Sequence, residues 1–187
     1  MNTFEIVILA IALVLSAMPV NTLAGYLLSS ETFFGKLKFV GIMFVISFLM
    51  SGAGIWIGNK TSSDYQQTNM WISLGLLLSF GLKVFLSSLQ SNTEDKSIDF
   101  TDNNVLLITA LTEGIIPLGI GIAIGILSQT PLFHWIILGI ILFLGVISGF
   151  LLGIAKGSII SKFRFGLTGG LLIIATAIKL IITLVGY

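Results

Sequence analysis

Six apolar runs, each near twenty residues and almost free of charge, leave this chain few ways to fold. A helix rises 1.5 Å per residue, so about 20 apolar residues cross a bilayer with every backbone group bonded internally. The runs are Thr3–Leu28, Leu37–Gly58, Met70–Leu89, Val105–Leu127, Pro131–Gly153 and Phe165–Val185. Only 9% of the 187 residues are charged, against about 25% in a soluble domain. The expected fold class is therefore all-α, a polytopic membrane protein of six transmembrane helices whose first partner is the lipid bilayer. The leading run ends in small residues, as a signal peptide does. Its start carries Glu5 and no Lys or Arg, so it is expected to stay as the first helix.

Composition also excludes. A net charge of +1 gives no case for nucleic acid. Without cysteine there are no disulfides, thiolate metal sites or cysteine nucleophiles, and a lone histidine, His134, cannot build a histidine-rich metal site. No nucleophile–base pair or cofactor motif is visible, so neither an enzyme nor a bound cofactor is expected.

The connections are short except Ser91–Asn104, SNTEDKSIDFTDNN, which is polar and acidic but lacks metal-ligand spacing. It divides the chain into a first three-helix unit (1–90), a linker (91–104) and a second unit (105–187). Lys36, Lys38, Lys96, Lys156, Lys162 and Arg164 fall in loops on one side of the membrane, while Lys60 alone lies on the other. The positive-inside rule puts those three loops in the cytoplasm and both termini outside the plasma membrane.

Offset by 96 residues, the halves register: Gly25 meets Gly121, and Lys83 meets Lys179. Offset by 95, Gly54 and Gly58 meet Gly149 and Gly153. Three spans per half is an odd number, so the halves are expected to be inverted repeats, a plan used by many secondary transporters. The first and fourth spans are then counterparts, and both carry a proline, Pro19 and Pro117, expected to break the helix and free the carbonyls of Leu15 and Glu113. Proline-broken spans in matching positions point to a binding site.

The fourth span holds the chemistry. In TALTEGIIPLGIGIAIG, Thr109, Glu113, Pro117, Gly121 and Gly125 are four apart and share a face. A carboxylate at membrane depth is a functional-site candidate by default. Glu113 is the expected charged ligand or proton-coupling group. Ser16, Asn21, Ser47, Thr109 and Thr112 are neutral oxygen candidates, and Met18 offers a soft sulfur. Glu113 and Asn21 lead as metal ligands. Lys83, on a small polar face, and Lys179, near enough to its helix end to snorkel, are the candidates for charge pairing. Small-residue faces such as Gly145, Gly149 and Gly153 serve helix packing, and would also admit a second copy or another membrane protein.

At this point the chain resembles the MntP family of manganese efflux pumps, six-span membrane proteins in two inverted halves. IALVLSAMPVNTLAG is similar to that family's first helix, LITALTEGIIPLGIGIA to its fourth, and SIISKFRFGLTGGLLIIATAIKLI to its last hairpin. The resemblance implies an embedded aspartate in the first helix and another in the fourth. Here those positions fall on Met18 and on Gly114, beside Glu113, and an acid of the second helix falls near Ser47. Lys83 matches a basic position of the third helix, and Lys179 is extra.

Three functions follow as expectations. The leading one is cation efflux, of Mn²⁺ or a related divalent metal, with Glu113 exchanging its cation for a proton. In the second, Lys83 or Lys179 replaces the cation beside Glu113 and the cargo is a non-metal small solute. The third is a non-transporting membrane partner on the same frame.

Overall fold

The computed structural model describes residues 2–61, 66–90, 99–128, 130–160 and 165–185. Among them there are six helices and no strand: α1 (Thr3–Leu27), α2 (Phe33–Thr61), α3 (Gln66–Gln90), α4 (Asn103–Leu127), α5 (Pro131–Ile160) and α6 (Phe165–Val185). All six are long and apolar enough to cross a membrane, as the hydropathy pattern predicts, and the chain is a multi-pass membrane protein. Linker residues 91–98 and the cations Lys162 and Arg164 lie outside the described residues.

Helix starts follow local chemistry. The Glu5 carboxylate accepts the Asn2 N–H at 2.9 Å, closing the first turn of α1. Asp102 caps α4 by accepting the Asn104 N–H at 2.9 Å. In the turn before it, the Thr101 hydroxyl and N–H hold the Asp99 carboxyl below its usual range, and Phe100 tucks edge-on against Phe39, their centroids 5.4 Å apart.

Two helix pairs, α1 with α5 and α2 with α4, form the tightest contacts; α3 lies on α6 and α4, and α1 also lies on α6. This packing pattern is unchanged when α1, α2 and α3 are exchanged for α4, α5 and α6. Glycine sets the close approach in both tight pairs. A methyl on Gly25 would strike the Phe150 carbonyl, and one on Gly153 the Thr22 carbonyl. A methyl on Gly125 would strike the Ile55 carbonyl, and one on Gly58 the Ile122 carbonyl. Each carbonyl stands three residues before the opposing glycine, so the two contacts share one geometry. Gly121 and Gly54 meet in the same way, against the Ser51 and Leu118 carbonyls, so Gly25 has two counterparts in α4, Gly121 and Gly125.

Both prolines sit inside continuous helices, α1 through Pro19 and α4 through Pro117. The expected helix breaks do not occur. Proline removes only one donor, and packed neighbours keep the turn in place. At α1 that neighbour is α6: Gly169 lies against the backbone of Ala12–Ser16. The Leu15 backbone therefore faces α6.

Two apolar clusters fill the bundle. One gathers Ile6, Leu9, Leu13, Leu77, Leu142 and Ile173 toward the end that holds the start of α1. The other gathers Leu28, Phe39, Met43, Leu106, Val146 and Phe150 toward the opposite end.

Candidate functional site

A small cavity lies where the two clusters meet. Leu13 and Leu142 of the first and Met43 and Val146 of the second form its apolar walls. Its polar lining is Ser16 and Asn21 from α1, Ser47 from α2 and Glu113 from α4, with Pro117 and Gly145 completing it. Ser16, Ser47, Glu113 and Gly145 come from the middle of their helices, and Asn21 from the last third of α1. At about 20 Å³ it has room for one water-sized guest.

The polar groups are disposed to accept. The Ser16 hydroxyl donates to the Leu13 carbonyl at 2.7 Å, which leaves its lone pairs for a guest. Asn21 is 1% exposed, and its Oδ1 is buried with no hydrogen-bond partner. Leaving such an oxygen unpaired costs roughly 1–3 kcal/mol, so it marks a site with work to do when filled. Packing holds Asn21 there: a methyl on Gly149 would lie 2.9 Å from its Cβ. Ser47 is buried. Glu113 forms no ion pair among the described residues.

The other candidates do not line the cavity. Positions four apart drift by about 40° per step on a helix of 3.6 residues per turn, and so Thr109 and Gly121 rotate away from Glu113. Gly121 packs on Ser51 of α2. Thr112 is exposed, its hydroxyl donating to the Ile108 carbonyl at 2.8 Å. Met18 is buried and turned toward Gly149; the thioether in the cavity wall belongs to Met43. Pro19 is exposed, near Gly166 of α6.

The lysines part company. Lys83 is on the exposed side of α3. Lys179 does not pair with Glu113: its Nζ lies 2.8 Å from Oε1 of Glu5, which is buried. Sequence reasoning missed this partner, although an even number of spans brings the start of the first and the end of the last to one side. Among the described residues, no group of three or more His, Cys, Asp or Glu could hold a metal ion. A cation in the cavity would therefore rest on one carboxylate, an amide oxygen and hydroxyls.

The family described as "Putative manganese efflux pump" (Mntp) matches residues 30–181. That stretch holds Ser47 and Glu113 and starts after Ser16 and Asn21. Relatives along nearly the whole length carry the name "Putative manganese efflux pump MntP". One from Methanobrevibacter smithii is 29% identical over 97% of this chain and 97% of its own. One from Clostridium botulinum (strain Loch Maree) is 28% identical over 97% and 95%, and one from Crocosphaera subtropica 26% over 97% and 96%. No solved structure matches the chain.

Proposed function

The chain belongs to the MntP family, and from that premise we propose that it is a secondary transporter exporting Mn²⁺ or a related divalent cation through the cavity between α1, α2, α4 and α5. The observation that carries this reading is the buried, unpartnered Oδ1 of Asn21 in the same small cavity as the Glu113 carboxylate. Carboxylate, amide and hydroxyl oxygens suit Mn²⁺-type cations. Glu113 supplies the charge, Asn21 the carbonyl oxygen, and Ser16 and Ser47 the hydroxyls. In this reading Glu113 also takes up a proton when the cation leaves. The self-matching pattern of helix pairs supports an inverted repeat, with residues 1–90 and 105–187 as its halves, and the Lys and Arg excess in the loops of one side supports both termini outside the cell.

The test is manganese tolerance and cell manganese content in a strain lacking its own exporter. Wild type should restore both. Glu113→Gln and Asn21→Ala, present in the membrane at equal amounts, should not. Rescue by Glu113→Gln equal to wild type, or unchanged manganese content with wild type in the membrane, would overturn the reading.

The packing of α3, the helix of Lys83, on α4, the helix of Glu113, supports a second reading, in which Lys83 acts as a tethered cation and the cargo is a non-metal solute. Lys83→Gln then abolishes transport, whereas under metal export it leaves the cavity's ligands intact.

A further inference from the structure

Among the side chains that line the Glu113 cavity, Met43 brings the one sulfur. It enters from α2 one turn before Ser47, and so stands on the same face as that hydroxyl. At 2% exposure, neither water nor lipid competes for its thioether. Leu13, Val14, Leu142 and Val146 complete the wall with hydrocarbon that offers a cation nothing. Methionine more often fills an irregular gap in a core. Here the gap stays open beside it, and the buried Asn21 Oδ1 has no partner in the same space.

Space limits what can sit there. In a cavity with room for one water-sized guest, an ion leaves most of its hydration shell behind. Mg²⁺ dehydrates reluctantly, and Ca²⁺ takes about six to eight oxygen ligands, more than the five oxygens that the side chains of Glu113, Asn21, Ser16 and Ser47 carry between them. Charge limits it further. Glu113 is the one acid in the lining, so a hard dication finds a single negative charge to offset its lost water. A softer ion also gains from a polarizable sulfur.

We propose that Met43 is the specificity-determining residue of this cavity: its thioether joins the Glu113 carboxylate as a ligand, and the favoured cargo is a borderline-to-soft divalent cation, with Cd²⁺ as the soft extreme. This rests on the export reading of the same cavity and adds a ranking to it. Cd²⁺ binds more tightly than Mn²⁺, and Mn²⁺ more tightly than Mg²⁺ or Ca²⁺.

The test is equilibrium dialysis of the full chain, purified in detergent, against Cd²⁺ and Mn²⁺ in turn. Wild type should bind both, Cd²⁺ the more tightly, with equal concentrations of Mg²⁺ displacing neither. Glu113→Gln should lose both, which locates the binding in the cavity. Met43→Leu keeps the side chain's bulk and removes the sulfur. Even an outer-shell partner of a metal is worth about tenfold in affinity, so losing a direct sulfur ligand should cut the preference for Cd²⁺ over Mn²⁺ by at least about tenfold. Met18→Leu removes a thioether that packs toward Gly149 outside the lining, and should leave the preference as it is. A preference unchanged in Met43→Leu, with Mn²⁺ binding still dependent on Glu113, would overturn the role of Met43 and leave the export reading standing. Wild type that binds neither ion, or binding indifferent to Glu113→Gln, would overturn both.

Discussion

Asn21 and Glu5 show how a single polar side chain in an apolar bundle reveals its role through its partners. Glu5 is satisfied twice, by the Asn2 N–H and by Lys179; Asn21 Oδ1 is not satisfied at all. A structural amide would lose stability when removed. An amide kept for a guest should not, because removing a buried unpaired oxygen relieves a cost. Asn21→Ala is therefore expected to leave the thermal midpoint in detergent unchanged, or to raise stability by up to ~1 kcal/mol, while transport falls. A drop of several degrees would assign Asn21 to packing instead. The opposite holds at the ion pair. Lys179→Met leaves Glu5 buried without its cation and is expected to cost ~1 kcal/mol, since Lys179 itself is more than half exposed. Glu5→Gln with Lys179→Met should recover most of that in the same thermal assay.

At the scale of elements, the spans were legible because hydropathy is local: six runs of the right length are present whichever helices become neighbours. The ends of α1, α4, α5 and α6 differ from the sequence reading by two residues or less, except at the far end of α5; α2 and α3 extend into their loops. The cavity was only half legible. Glu113, Asn21, Ser16 and Ser47 could be named from residue type and span depth, but which of them meet depends on helix rotation, and a spacing of four hides a drift that carries Thr109 away. The sulfur was assigned to Met18 for the same reason, where packing places Met43. The glycine seams allow a sharper comparison. Gly25→Ala and Gly125→Ala press a methyl into a neighbouring backbone, and each should cost ~1–3 kcal/mol. Gly41→Ala and Gly75→Ala, with nothing within 4 Å of the added methyl, should instead gain ~0.5–1 kcal/mol. Matched losses at Gly25 and Gly125 in thermal unfolding would show the two tight helix pairs to be equivalent; a loss at one alone would speak against it.

For the whole molecule, sidedness is open to direct measurement, because a chain without cysteine accepts single labels cleanly. A cysteine at Ser30, in the connection between α1 and α2, is expected to resist a membrane-impermeant maleimide in intact cells and to react once they are opened. One at Asn2 should react from outside at once. The reverse pattern would invert the proposed topology. The cavity between two apolar clusters has an electrical consequence as well. With a dry layer on either side, the transmembrane voltage falls across those layers, and a guest in the middle stands part-way down the field. Carrying one elementary charge fully across costs about 2.3 kcal/mol per 100 mV, so a bare divalent ion leaving a cell that is negative inside climbs about twice that. Export by this route is electrically uphill unless positive charge returns, and imposing an inside-positive potential on vesicles should speed cation exit.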